Sequence, residues 1–133
     1  MPRPSLREAI VTAAEQEFHA HGLHATGVAA ITAAAGAPKG SFYNHFASKE
    51  DLALEVVDRY AVRMRTDMLA DTSLAPLERI RAHFEFIASE LSADGFRRGC
   101  LLGNLAAETG AQDTLIGRRV TVLFDGWART LAA

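Results

Sequence analysis

One cysteine, one tryptophan, two tyrosines and four prolines are all that this 133-residue chain holds of those types. The lone Cys100 cannot close an intramolecular disulfide, so the fold must rest on apolar packing, as in a reducing compartment. No apolar run is long enough to span a bilayer, and the N-terminus MPRPSLREAI lacks the hydrophobic core of a secretory signal. The expected location is therefore the cytoplasm. Excess positive charge is also missing. Lys and Arg total 14 against 16 Asp and Glu, a net charge of −2, so bulk electrostatics do not favour a polyanionic partner. Alternating strand-like runs, internal repeats and low-complexity stretches are absent as well.

What remains is helix. Hydrophobic residues make up 49% of the chain, enough for one compact core or for a small head on a larger body. The first helix opens at Ser5, where Ser5-x-x-Glu8 has capping-box spacing, and Leu6, Ile10, Ala14 and Phe18 mark its apolar face before Gly22 stops it. A second helix covers about residues 28–35, with Val28 and Ile31 inward, Gly36 at its end and Thr26 or Gly27 as its cap. A third is expected to begin at Pro38, a residue suited to the first helical position, with Phe42 and Phe46 turned inward together. Ser48-x-x-Asp51 opens a connector helix expected over about residues 49–69, carrying Leu52, Val56, Tyr60, Met64 and Met68. Past a linker at residues 71–76, Leu77, Ile80, Phe84, Ile87 and Leu91 recur at heptad-like spacing up to Asp94-Gly95. Two further helices are expected over about residues 99–109 and 113–132, the last with Ile116, Val120, Leu123, Trp127 and Leu131 on one face.

Residues 28–46, VAAITAAAGAPKGSFYNHF, place two short helices about a tight glycine-containing turn. That is the minimum helix-turn-helix, in which one helix braces and the next enters a DNA major groove. Between Gly36 and Lys49 the chain carries Lys39, Lys49 and His45 and no acid, whereas Glu50, Asp51, Glu55 and Asp58 follow at once. The run GxxKGSFYNHFxSKEDL resembles the DNA-binding signature of the tetracycline-repressor (TetR) family of bacterial regulators, and the likeness extends from Ser5 to about Tyr60.

The resemblance implies an all-helical protein with a helix-turn-helix head over residues 1–48 and an effector-binding and dimerising body over residues 49–133. It also implies roles for residues of the signature. Gly40 would let the backbone approach DNA closely. Lys39 and Ser41 on the leading turn would reach base edges or phosphates, Tyr43 would offer its phenol to a phosphate, and Asn44 could read adenine. His45 would contact DNA or simply pack. Lys49, at the start of the next helix, would join the helix dipole in holding a phosphate. Thr26 would cap the bracing helix and touch a phosphate, and Arg3 and Arg7 would grip the backbone from the N-terminal side. Gly27, Ala29 and Ala30 depart from the usual polar residues, so base reading should fall mainly to Lys39, Ser41, Tyr43 and Asn44.

The expected partner is thus double-stranded DNA with a palindromic operator, bound by a repressor that a small molecule or electrophile releases. Family chains usually run longer and end in two helices that pair about a twofold axis. Those helices are not recognisable before Ala133, so the body is expected to be incomplete at its C-terminal end. A truncated protein and one that dimerises through Leu91, Trp127 and their neighbours fit this equally well. The segment from Arg97 to Glu108 resembles a subgroup that answers electrophiles through cysteine, with Arg97 and Arg98 favouring the Cys100 thiolate. Phe84 and Trp127 are the other effector candidates. The alternative is a shortened helical sensor or partner-binding module that does not bind DNA alone.

Other chemistries find little support. His19, His21 and His24 do not share one helical face and have no acidic partner at metal-ligand spacing. Neither a nucleophile elbow nor a phosphate loop is present. No metal, cofactor or enzymatic activity is therefore expected.

Overall fold

The computed structural model describes residues 3–110 and 114–133. Among them every regular element is helical: α1 (Leu6–His21), α2 (Val28–Ala35), a 3-10 helix (Lys39–Asn44), α3 (Lys49–Arg63), a second 3-10 helix (Thr66–Ala70), α4 (Pro76–Ser92), α5 (Leu101–Thr109) and α6 (Leu115–Ala132). Asp113, the expected start of the last helix, lies outside the described residues.

Local chemistry sets the helix starts. Ser5 Oγ accepts the Glu8 N–H at 3.1 Å and Ser48 Oγ accepts that of Asp51 at 3.1 Å, each satisfying one amide that the helix cannot. The reciprocal half of the first capping box does not form, because the Glu8 carboxylate turns to the Arg59 guanidinium at 2.6 and 2.8 Å. Arg7 likewise pairs with Glu55, and its guanidinium sits 4.8 Å from the Phe46 ring centre. Arg63 pairs with Glu15. These pairs lace α1 to α3. The hydrogen bond from Arg7 is the main reason the Glu55 carboxyl is held below its ordinary range.

One apolar core runs through the molecule. Ile10, Ala14 and Phe18 of α1 meet Ile31 of α2, Phe42 and Phe46, and Leu52 and Val56 of α3; Leu101, Leu105, Ile116 and Val120 continue it between α5 and α6. Phe42 and Phe46 are both buried, as their spacing predicts.

Three elements differ from the reading of the sequence. Pro38 is the residue before the third helix rather than its first member, since its ψ of 141° is extended, and the helix is a six-residue 3-10 segment. The connector ends at Arg63 instead of near residue 69; Arg65 takes a left-handed φ of 58° and starts the second 3-10 helix. The heptad-like face of α4 is not core: His83 is its only buried residue, while Leu77 is 80% and Phe84 44% exposed. Ile80, Ile87 and Leu91 are half-buried and Phe84 packs on Trp127 of α6, so the described elements cover that face only in part.

Candidate nucleic-acid interface

The 3-10 helix Lys39–Asn44 is held from behind and open in front. Phe42 anchors it in the core, and Ser41 Oγ donates to the Pro38 carbonyl at 2.6 Å. On the outer side Lys39, Gly40, Tyr43 and Asn44 are exposed, Tyr43 by 67% of its surface, and His45 is half-buried. A Cβ added at Gly40 would meet nothing within 4 Å, so its bare backbone faces open space where another molecule can come close. Ala29, Ala30, Ala33 and Ala34 of α2 are exposed beside this acid-free stretch and offer no polar group of their own.

Two residues expected to touch DNA are turned inward. Ser41 is buried, its hydroxyl taken by Pro38. Thr26 is also buried and does not cap α2; Gly27 holds that position without a side-chain bond, and Thr26 Oγ1 donates to the Gly22 carbonyl at 2.7 Å. Arg7, expected at the DNA backbone, is engaged with Glu55. Arg3 remains exposed.

Lys49 is partly buried, and its ammonium donates to the Leu23 carbonyl at 2.9 Å and the Thr26 carbonyl at 3.2 Å. It therefore fastens the turn between α1 and α2 to the start of α3. Across the same turn the Glu108 carboxylate of α5 accepts the Leu23 N–H at 2.9 and 3.0 Å and the His24 N–H at 3.3 Å. Sequence reasoning missed Glu108, because nothing in its neighbourhood signals a partner 85 residues away.

A cavity of about 550 Å³ opens between α3, α4, α5 and α6, lined by apolar groups such as Met64, Ile87, Leu102, Leu123 and Phe124. Cys100 and Trp127 both line it; Phe84 does not, and packs on the Trp127 ring at 5.9 Å. Asp, Glu, Lys and Arg are absent from its lining among the described residues. The ring of His83, also lining, accepts the Trp127 Nε1–H on Nε2 at 2.9 Å. Burial holds the His83 pKa below its ordinary 6.5, outweighing the opposing pull of the Arg65 backbone and Asp67. Cys100, half-buried, precedes α5 beside the Tyr60 phenol, whose pKa is pushed up to about 12, chiefly by burial. Arg98 pairs with Asp94 at 3.0 Å. Among the described residues no three metal-ligating side chains gather, and no helix is long and apolar enough to cross a membrane.

Comparison with known proteins places this geometry. The family described as bacterial regulatory proteins, tetR family, matches residues 10–56, and the C-terminal domain of LmrA/YxaF-like transcriptional regulators matches residues 76–133. The transcriptional regulator AcuR of Cereibacter sphaeroides is 35% identical over 94% of this chain and 58% of its own length. The transcriptional repressor DhaR of a Mycobacterium species is 34% identical over 97% of this chain and 65% of its own. The crystal structure of a regulatory protein TetR from Rhodobacter sphaeroides superposes with a TM-score of 0.80 at 33% identity, covering 92% of this chain and 67% of that one. The chain thus spans about three-fifths of the length of the curated relatives it matches. Head, connector and helical body all agree with these proteins, and the chain belongs to the TetR family of bacterial regulatory proteins.

Proposed function

We propose that the protein is a DNA-binding transcriptional regulator acting in the cytoplasm as a repressor, the sense in which DhaR is named. The head would occupy residues 1–48 and the body residues 49–133. The observation that carries this reading is the exposed, acid-free face of the 3-10 helix, where Lys39, Gly40, Tyr43 and Asn44 stand clear of the core. Lys39 supplies phosphate attraction, Gly40 close approach, and Tyr43 and Asn44 hydrogen-bonding reach into the groove. His45 adds a partial contact. Ser41, Thr26 and Lys49 stabilise the head rather than touch DNA, each through its bond to a backbone carbonyl.

The cavity beside Trp127 and Cys100 is the proposed effector site. Among the described residues its lining offers no counter-charge, so it favours an uncharged, largely apolar molecule over an ion, which would lose hydration without compensation. An electrophile reaching it would meet the Cys100 thiol. Operator release follows if the effector prefers the body in an arrangement unsuited to DNA. A homodimer on a palindrome would multiply the affinity of one head by linkage.

A partner-binding role has one observation in its favour, the exposed apolar side chains of Leu77 and Phe84 on α4 and of Val122 on α6. Sedimentation of the chain alone and mixed with duplex DNA separates the two. Complex formation with DNA, weakening steeply as salt rises, supports the regulator. A folded chain that ignores DNA at low salt supports the partner-binding module.

A further inference from the structure

The five-residue turn at residues 22–26 is gripped from two sides by opposite charges. Its amides at Leu23 and His24 point to the Glu108 carboxylate, and its carbonyls at Leu23 and Thr26 point to the Lys49 ammonium. Leu23 contributes to both, its N–H to the acid and its C=O to the base. The fit with Glu108 is close enough that a Cβ on Gly22 would overlap its carboxylate, and Gly22 holds a φ of 88° suited to glycine. Directly after the turn comes α2, the brace of the 3-10 helix that bears Lys39 and Tyr43.

Glu108 is the next-to-last residue of α5, and the opposite end of that helix is cavity wall, through Leu102 and Gly103. Nine residues of helix span about 13 Å and move as a short rod. A second pin joins the N-terminal end of the rod to α1: His19 Nε2 donates to the Gly99 carbonyl at 2.7 Å. Any displacement of α5 by a molecule in the cavity must therefore be delivered to α1 and to the turn that sets α2.

We infer that Glu108 is a positioning residue that couples occupation of the cavity to the placement of the helix-turn-helix. The inference rests on the effector reading above and adds the side chain that carries the signal. Glu108 touches neither cavity nor DNA face; it acts by holding two peptide N–H groups, so its loss should leave ligand affinity intact and take away most of the response. Lys49 supports the turn from α3 and keeps it ordered while Glu108 moves.

The test uses the intact chain and N-phenyl-1-naphthylamine, an uncharged apolar probe whose seating is read by energy transfer from Trp127, the sole tryptophan. Amide NMR shifts at Leu23 and Gly40 report on the turn and on the 3-10 helix. In the wild-type chain the seated probe shifts both. In Glu108→Ala it binds with unchanged affinity and the Gly40 shift falls by more than half, the remainder passing through the His19–Gly99 pin; Glu108→Gln, which keeps an oxygen acceptor and safeguards the fold, loses a smaller part of it. A Gly40 shift that persists undiminished in both variants, or a seated probe that shifts neither amide in the wild type, overturns the inference. A probe that never seats overturns the effector reading and this inference with it. Failure to bind DNA with the coupled shift intact overturns only the DNA-binding role.

Discussion

Trp127 donates its indole N–H to Nε2 of His83 at 2.9 Å, which fixes the buried imidazole as the neutral tautomer with its proton on Nδ1. The His83 pKa is lowered by burial below 6.5, so the unfolded chain binds the proton more readily than the folded one. The stabilising contribution is complete above the unfolded value and is lost as pH falls below it. Urea midpoints should therefore decline as pH drops from about 6.5 towards 5, before the carboxylates titrate. His83→Phe should flatten that slope; an equally steep slope in the variant would remove His83 as the cause.

Replacing Trp127 by Phe keeps the aromatic packing against Phe84 and Phe124 but deprives His83 of its donor. Loss of about 1 to 3 kcal/mol of stability is expected, the cost of a buried polar atom left unpaired. Denaturant titration followed by circular dichroism measures it.

Lys39→Ala and Tyr43→Phe alter exposed side chains, so melting temperatures should stay close to that of the parent. DNA affinity should fall in both. For Lys39→Ala the slope of log affinity against log salt should shrink by about 1, the signature of one lost phosphate contact. Anisotropy titrations at several salt concentrations provide the comparison.

Thr26→Val should behave in the opposite way. Its hydroxyl bond to the Gly22 carbonyl lies in a buried site, and removing it should cost about 1 to 3 kcal/mol of stability. The folded fraction should bind DNA with nearly unchanged affinity. A loss of affinity without a loss of stability would return Thr26 to the DNA contacts.

The helices and the head were legible in the sequence because their signals are local. Ser5 and Ser48 mark helix starts, Gly36 marks a stop, and the Phe42–Phe46 spacing marks an inner face. Roles that depend on distant partners were not. Lys49 reads as a phosphate ligand until Leu23 and Thr26 are seen against its ammonium, and Arg7 reads as a DNA arm until Glu55 appears beside it. An α-helix opening at Pro38 would turn Ser41 outward; in the 3-10 turn that follows the extended Pro38 its hydroxyl bonds back to the Pro38 carbonyl and the residue is buried. For α4 the heptad-like spacing is real, yet an apolar stripe says only that a face can be buried, and here Leu77 and Phe84 stay exposed while Ile80, Ile87 and Leu91 are half-buried.

The most direct test is selection of duplexes from a random-sequence pool by the folded wild-type chain at low salt, repeated with a Lys39→Ala, Tyr43→Ala double variant. Wild type should enrich one sequence pattern, with binding that weakens as salt rises, and the folded double variant should enrich none. No enrichment by the folded wild-type chain, or the same pattern from the double variant, would contradict the assignment of the 3-10 helix as the DNA-reading element.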